Sequence, residues 1–129
     1  AKAVLQKQAS LDYGLIHADL VPENVLLDRE KIVFIDFDDG GPGFRLYDVA
    51  TALLRHKNEA DYAALEASFL AGYQSLRALD TNLLPLFFMA KACAYVGWTM
   101  ERMQEPANAA RNERFIATAL PLVQSYLSS

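Results

Sequence analysis

The sequence is poor in cysteine and in positive charge, and it has no long uninterrupted apolar run. Its single cysteine, Cys93, excludes an internal disulfide and fits a reducing cytoplasm. Cys93 stands in an apolar helical run, so we expect a buried, unreactive thiol. The net charge is -4, which leaves no basic surface for nucleic acid or an anionic membrane. Pro85 and Lys91 interrupt the longest apolar run, residues 83–100, and argue against a membrane span.

The sequence also lacks internal repeats, low-complexity segments and any sign of a second domain. Hydrophobic residues make up 53% of the 129 residues and charged residues 22%, a balance typical of a globular chain. A chain of this length is long enough to bury a real core. We therefore predict a single domain over residues 1–129.

The most informative stretch of the sequence lies between Gly14 and Asp39. It contains two short apolar runs, Val25-Leu-Leu27 and Ile32-Val-Phe-Ile35, whose residue types favour β-strands. The segment Asp28-Arg-Glu-Lys31 joins the two runs, so we predict a hairpin. Polar residues before and after this hairpin are expected on loops, where catalytic groups usually lie.

These polar residues have the spacing of a phosphotransferase catalytic loop. His17 and Asp19 are followed by Asn24, by the hairpin and then by Ile35-Asp-Phe37. In kinases with this pattern, one Asp accepts the proton of the acceptor hydroxyl, while the Asn and a second Asp hold magnesium. Hard oxygen ligands suit Mg2+, which takes only one or two carboxylates from the protein.

Three motifs together resemble the aminoglycoside phosphotransferase family, whose relatives include homoserine and choline kinases. They are His17-Ala-Asp-Leu-Val-Pro-Glu-Asn-Val-Leu26, Ile35-Asp-Phe-Asp-Asp39 and Leu46-Tyr-Asp-Val-Ala50, within the stretch from Gly14 to Ala52. The resemblance implies an α+β, mostly α fold, the C-terminal lobe of a protein-kinase-like enzyme. Such a lobe carries its catalytic loop and a short β-hairpin on a bundle of about four to five helices.

The resemblance also implies an activity. Enzymes of this family transfer the γ-phosphate of ATP, with Mg2+, to a hydroxyl of an amine-bearing small molecule such as an aminoglycoside, homoserine or choline. Val21 stands where protein kinases acting on Ser or Thr carry a Lys, and this departure favours a small-molecule acceptor over a protein. We expect ATP and such an acceptor as partners, and neither nucleic acid nor a membrane.

The nucleotide-binding half of such kinases has no counterpart in the sequence. Upstream of Gly14 stand only about a dozen residues, with no Gly-rich phosphate loop and no strand Lys followed by a helix Glu. So short a segment is too small for the sheet of a nucleotide-binding lobe. We therefore expect the chain to be a C-terminal lobe without its N-terminal partner lobe, and to be inactive alone.

The family motifs imply roles for individual residues. Asp19 is expected to be the catalytic base, and Asn24 and Asp36 are expected to bind the metal ion and, through it, the nucleotide. Asp38 replaces the Gly of Asp-Phe-Gly and is a further candidate metal ligand, or else it faces the acceptor, whereas Asp39 is expected to be solvated. The residue types alone leave simpler roles open, because loop Asp and Asn residues often cap turns.

Two further residues are expected to support the site without taking part in the chemistry. In the resembling kinases, the residue matching His17 packs inward and holds the loop by hydrogen bonds. The residue matching Asp48 braces the catalytic loop through backbone amides. The residue types alone would also suggest that His17 is a proton shuttle. They would make Asp48 an acid in the first turn of a helix, where it interacts favourably with the helix dipole.

Two other functions remain open from the sequence. A metal-dependent phosphohydrolase would use Asp36, Asp38 and Asp39 as a metal cluster, but it leaves the spacing of the catalytic loop without a use. A non-catalytic helical interaction module, or a kinase remnant, would need none of these residues for chemistry. Phosphate transfer to an acceptor, as opposed to release of free phosphate, separates the first of these from a kinase.

Helical periodicity predicts the rest of the chain. Predicted helices lie within residues 1–11, along the apolar stripes of residues 46–54 and 62–76, from a cap at Thr81-Asn82 through Met103, and over residues 108–127. The segment Gly40-Gly-Pro-Gly43 is predicted to be a flexible loop without regular structure.

Overall fold

A computed structural model describes residues 12–129 of the chain. The chain divides into two compact units, Ala1–Leu83 and Leu84–Ser129, and each is described separately. The helix expected within residues 1–11 lies outside the described residues. The first unit contains β1 (Tyr13–Ile16), β2 (Val25–Asp28), β3 (Lys31–Phe34), β4 (Gly41–Phe44), α1 (Arg45–Leu54) and α2 (Tyr62–Leu76). The second unit contains α3 (Leu84–Met100) and α4 (Asn108–Ser128).

The predicted fold class is confirmed. Residues 12–129 form four α-helices and two antiparallel two-stranded sheets, β1–β4 and β2–β3. The structure is therefore α+β and mostly helical. Within this part of the chain, no helix combines the length and the apolar character needed to cross a membrane.

The predicted hairpin is formed by β2 and β3. The strands pair antiparallel up to Asp28 and Lys31, so the turn between them has only two residues, 29–30. At the other end, the backbone N–H of Ile35 donates a hydrogen bond to Asn24 O at 3.0 Å and continues the pairing. The hairpin therefore brings the residues that precede it next to the residues that follow it.

The expectation of a flexible loop at residues 40–43 is wrong. Gly41–Phe44 is strand β4, and it pairs antiparallel with β1 over the whole length of both strands. The register sets Tyr13 opposite Phe44 and Ile16 opposite Gly41. This second ribbon gives β1, the strand that leads into the predicted catalytic loop, its one partner strand among the described residues.

Close packing explains the glycine at position 43, and an unpaired strand side explains why proline is tolerated at position 42. A Cβ on Gly43 would lie 2.3 Å from Ile16 Cδ1, so any larger residue would force the Ile16 side chain to move. No described glycine has a positive φ, so backbone freedom is not what the strand requires. Pro42 lacks an N–H but is tolerated, because a two-stranded sheet leaves one side of each strand unpaired.

Helix α1 supplies the core of the first unit. Its apolar stripe, spaced i, i+3, i+4, i+7 and i+8, is buried as the periodicity predicts. The stripe consists of Leu46, Val49, Ala50, Leu53 and Leu54. Burial of each large side chain contributes roughly 1.5–3 kcal/mol to stability, so the stripe holds α1 firmly as a support for polar residues on its other faces.

Helix α2 spans the predicted residues, but its apolar stripe is only partly covered. No residue of Tyr62–Leu76 is fully buried, and Leu76 is 92% exposed. Beyond the helix, Gln74 Nε2 donates a hydrogen bond to Leu79 O at 3.0 Å, which turns the chain back on the last turn of α2.

In the second unit, α3 packs against α4, and the rings of Tyr95 and Phe115 stack with their centroids 4.8 Å apart. Cys93 on α3 is exposed, so the expectation of a buried thiol is wrong. Helix α3 is apolar on nearly every face, and for such a helix periodicity does not show which side packs inward.

A buried amide connects α3 to α4. Asn108 is only 1% exposed, and its Nδ2 donates hydrogen bonds to Arg102 O (2.9 Å) and Glu105 Oε2 (3.0 Å). Its Oδ1 accepts one from Arg111 Nη1 at 3.0 Å. The turn that these bonds stabilise ends α3 at Met100, three residues before the predicted end, and starts α4 at the predicted residue.

Gly43→Ala should destabilise the protein by about 1–3 kcal/mol, because the new methyl group overlaps Ile16. Gly41→Ala, in the same strand, is the matched control. Nothing lies within 4 Å of a Cβ at that position. We expect it to be neutral or to stabilise by about 0.4–1 kcal/mol, through loss of unfolded-state entropy. Urea unfolding of the two variants checks this, and equal unfolding midpoints would contradict the packing account.

Candidate active site

The candidate site lies where β1 and β3 end. Residues 17–24 follow β1 and include a short 3-10 turn, Pro22–Asn24. Residues 35–40 follow β3. The backbone hydrogen bond from Ile35 to Asn24 joins the two segments, so the residues predicted to act together come from neighbouring loops.

His17 links the two loops. Its side chain is buried, with 6% exposed. Nε2 donates a hydrogen bond to Ile35 O (2.8 Å), while Nδ1 accepts the backbone N–H of Asp19 (3.3 Å). The ring of Phe37 packs against the imidazole at a centroid distance of 4.5 Å. Both ring nitrogens are engaged within the protein, so the geometry suits a structural role and not proton transfer to a ligand.

Asp48, in the first turn of α1, holds the start of the predicted catalytic loop. Its Oδ2 accepts the backbone N–H of His17 at 2.7 Å, and its Oδ1 accepts that of Ala18 at 2.8 Å. Ala18 has a φ of 70°, in the left-handed region that non-glycine residues rarely adopt. A carboxylate that accepts two backbone N–H groups makes strong, charge-assisted bonds, and these hold the loop in its strained conformation.

Asp19 and Asn24 are joined directly. Asn24 is 8% exposed, and its Nδ2 donates hydrogen bonds to Asp19 O (2.9 Å) and to Asp19 Oδ2 (3.2 Å). These bonds orient the carboxylate of the predicted base. No group in residues 12–129 donates a hydrogen bond to the amide oxygen of Asn24. This oxygen therefore remains available for a metal ion.

The three carboxylates after β3 are all exposed, and within the described chain none of them accepts a hydrogen bond. Asp36 has a φ of 61°, a second strained residue at the site. Asp38 and Asp39 are the central residues of a turn closed by a 2.9 Å hydrogen bond from Gly40 N to Phe37 O. Asp36 thus follows Ile35 beside Asn24, whereas the other two carboxylates lie on the turn that leads into β4.

The oxygen atoms at this site fit Mg2+. Asn24 Oδ1 and the Asp36 carboxylate are hard donors, and Mg2+ is usually held by one or two carboxylates, waters and substrate phosphates. Within residues 12–129, no three His, Cys, Asp or Glu side chains are grouped closely enough to hold a metal. A metal held by Asn24 and Asp36 would therefore take its other ligands from water and phosphate. The carboxylate cluster that a phosphohydrolase would need has no support in this part of the chain.

Tyr47 is a site residue that the sequence reasoning missed. Burial raises the pKa of its phenol, and the charges of Asp19, Asp39 and Asp48 raise it further. The phenol therefore lies within the field of three carboxylates and stays protonated at neutral pH. Its position directly before Asp48 in the Leu-Tyr-Asp motif was the available signal.

Helix α1 contacts the catalytic loop a second time near its end. Arg55 Nη1 donates to Glu23 Oε1 at 2.6 Å, and this hydrogen bond is the main cause that lowers the pKa of Glu23. Both side chains are about half exposed, so the pair adds little stability. It does keep the 3-10 turn that ends at Asn24 close to the helix.

A hydrogen-bonded Asp–Asn pair on a braced loop, with a further Asp beside it, is the arrangement that the sequence predicts for a phosphotransferase catalytic loop. The sequence model of the phosphotransferase enzyme family (APH) matches residues 1–79. The chain belongs to this family. The predicted family resemblance is thereby confirmed.

Relatives in sequence include homoserine kinases. That of Neisseria meningitidis serogroup B is 34% identical over 97 residues, which are 72% of this chain and 32% of that protein. That of Mesorhizobium japonicum is 42% identical over 93 residues, 67% of this chain and 29% of that protein. The chain thus spans about a third of the length of the curated relatives it matches.

Solved structures of kinases have a similar fold. A microcompartment-associated aminopropanol kinase matches with a TM-score of 0.77 and 32% identity, over 91% of this chain and 38% of that one. The amicoumacin kinase hAmiN, in complex with AMP-PNP, Ca2+ and Ami, matches with a TM-score of 0.69 and 27% identity. That match covers 88% of this chain and 39% of the other.

Asp48→Asn should lower the free energy of unfolding by about 1–3 kcal/mol, because an amide has only one acceptor oxygen for two backbone N–H groups. The amide nitrogen would then face the second N–H. Asp61→Asn, an exposed Asp-to-Asn change that removes no side-chain hydrogen bond, is the control and should change stability by less than about 0.5 kcal/mol. Chemical unfolding measures both variants, and equal losses would contradict the bracing role of Asp48.

Proposed function

We propose that this chain is the catalytic-loop lobe of an ATP-dependent phosphotransferase. It transfers the γ-phosphate to a hydroxyl of an amine-bearing small molecule, with homoserine, aminoglycoside and choline-like compounds as the candidate class. The observation that carries the proposal is the Asp19–Asn24 hydrogen bond on a loop fixed by His17 and Asp48. A segment outside this sequence supplies the nucleotide-binding lobe, and the chain alone is inactive.

The relatives support both parts of the proposal. Two of the similar kinases are named for homoserine and for aminopropanol, and each of these compounds contains a hydroxyl and an amine. AMP-PNP and Ca2+, bound to the amicoumacin kinase, are a nucleotide analogue and a divalent cation. Nucleotide and metal use by this chain, with ATP and Mg2+ as the partners, is inferred from that chemistry and from the donor atoms at the site.

The proposed chemistry assigns one proton transfer to this chain. The acceptor hydroxyl oxygen forms a bond to the γ-phosphorus while the bond from that phosphorus to the bridging oxygen of ADP breaks. The hydroxyl proton passes to the Asp19 carboxylate, which the Asn24 amide orients. A bound Mg2+, held through Asn24 and Asp36, would neutralise charge on the phosphate oxygens.

The acidic turn supports the proposal that the acceptor is cationic. Asp38 and Asp39 are exposed and accept no hydrogen bond from the described residues, and the chain has a net charge of -4. A site lined with one sign of charge concentrates counter-ions of the other sign. An ammonium group would also offer these carboxylates charge-assisted hydrogen bonds. Asp38 then faces the acceptor, and its alternative role is to assist Asp36 in binding metal.

Asp19→Asn should lower kcat at least 100-fold in the intact enzyme and leave nucleotide affinity nearly unchanged, because general-base catalysis contributes about 10²–10⁴-fold. Asp36→Asn should instead raise the Mg2+ concentration needed for half-maximal rate and lower the rate as well. Steady-state kinetics at varied Mg2+, with Mn2+ binding followed by electron paramagnetic resonance, separates the two effects. An Asp19→Asn enzyme near wild-type rate removes the assignment of base.

The acceptor class is tested by screening the intact enzyme. Amino alcohols, hydroxy amino acids and aminoglycosides should exceed neutral sugars in kcat/KM. Asp38→Ala should raise KM for the amine-bearing acceptor, because an ammonium loses one of its carboxylate partners. If a neutral sugar is the best acceptor and Asp38→Ala changes only the metal dependence, the acceptor proposal is wrong and the phosphotransferase proposal stands.

A further inference from the structure

A second set of charged residues surrounds Asp12, the residue directly before β1. Asp12 Oδ1 accepts hydrogen bonds from Arg45 Nη1 and from Arg77 Nη2, each at 2.7 Å. Its Oδ2 accepts one from Arg77 Nε, also at 2.7 Å. The backbone adds a bond from Arg45 N to Asp12 O at 3.0 Å. We call these three residues the Asp12 cluster.

The Asp12 carboxylate is ionised at neutral pH, and Asp12 and Arg45 are partly shielded from solvent, whereas Arg77 is about half exposed. The Asp12 side chain is 21% exposed and that of Arg45 is 23% exposed. The hydrogen bonds from Arg77 are the main cause that lowers the pKa of Asp12; the charges of both arginines add to this, and burial opposes it. Arg77 binds with two nitrogens to two oxygens, the fork geometry that gives an arginine–carboxylate pair its orientation.

The position of the cluster relative to the catalytic loop is its important property. The first turn of α1 carries Arg45 and Asp48, and these two residues hold opposite ends of the same strand. Arg45 binds Asp12, just before β1, and Asp48 binds His17 and Ala18, just after it. The segment that leads to the predicted base is therefore attached to one helix at both ends.

Within residues 12–129, few other interactions restrain β1. It has one partner strand, and a two-stranded ribbon alone is marginally stable. Tyr13 is 57% exposed and Leu15 is 78% exposed, so little apolar burial holds the strand. Gly14 has no side chain, and a Cβ there would lie 2.2 Å from Arg45 Nη2. The guanidinium of Arg45 thus occupies the space that a side chain at position 14 would fill.

We propose that Asp12 is a positioning residue for phosphoryl transfer. Hydrogen-bonded to Arg45 and Arg77, it fixes the start of β1 against α1 and so positions the loop that carries Asp19. Because Arg77 follows the last turn of α2, the same carboxylate links α2 to the catalytic loop. The inference rests on the proposed function for its kinetic consequence, but the restraint on the loop has a readout of its own.

Two variants of the intact protein test the proposal. Asp12→Asn removes the charge that both arginines bind. Gly14→Ala removes no charge but displaces the Arg45 guanidinium, and it keeps the test valid if the first variant does not fold. Glu59→Gln is the control, because it removes a carboxylate that pairs at 2.7 Å with His56, remote in sequence from β1 and the catalytic loop.

We expect Asp12→Asn and Gly14→Ala to lower kcat about 10-fold, since misplacement of catalytic groups by 1 Å can cost up to 100-fold. The KM for nucleotide should stay within about twofold, since the hydrogen bond from Ile35 N to Asn24 O joins the segments of Asn24 and Asp36 independently of Asp12. Amide exchange of His17 and Ala18, followed by NMR, should become faster in both variants. Glu59→Gln should change none of these quantities.

The kinetic loss must be separated from simple instability. A stabilising osmolyte such as trimethylamine oxide favours the compact state, so it restores a rate that was lost only through unfolding. A loss of kcat that persists in the osmolyte supports positioning. A kcat that returns to the wild-type value, or that never falls, overturns it. If the wild-type protein phosphorylates no acceptor, the proposed function fails, and the exchange rates alone decide whether Asp12 restrains the loop.

Discussion

The acceptance of two backbone N–H groups by Asp48 is the interaction on which the candidate site depends. It joins the better buried of the two described helices of the first unit to the start of the predicted catalytic loop. Through the loop it acts on His17, whose imidazole bonds to the segment after β3, and on Asp19, whose carboxylate is bonded by Asn24. A single side chain thus transmits the rigidity of a packed core to groups that are themselves partly exposed.

Two strained backbone conformations at the site depend on this rigidity. Ala18 and Asp36, one in each loop of the site, are non-glycine residues with left-handed φ values. Such conformations cost about 1–3 kcal/mol each and persist only where surrounding contacts over-determine them. At Ala18 the contacts are the Asp48 carboxylate and, next to it, the buried ring of His17. At Asp36 the flanking residues Ile35 and Phe37 are tied to His17, one by a hydrogen bond and one by ring packing.

The sequence predicted those parts of the fold that depend on local pattern. The buried stripe of α1 and the bounds of α2 follow from periodicity, and the spacing of His17, Asp19 and Asn24 indicated the loop that they share. Strand β4 was missed because its Gly-Pro-Gly sequence is typical of a loop, whereas its pairing depends on a strand about 28 residues earlier. The Asp12 cluster was missed for the same reason, since its members are brought together only by the fold, whereas Tyr47 was overlooked although it stands directly before Asp48. The exposure of Cys93 could not be read from a helix that is apolar on nearly every face.

The hairpin that positions the site also creates a hazard. Its strands expose large apolar side chains, among them Leu27 at 76% and Ile32 at 63%, next to strand edges that pair with no other described residue. Exposed apolar edges of this kind invite pairing between molecules. The turn at the tip, Asp28-Arg-Glu-Lys31, places four consecutive charges of alternating sign beside them. Charged residues that flank an apolar strand act as gatekeepers against aggregation, so the residues that close the hairpin also protect the chain from self-association while these surfaces are uncovered.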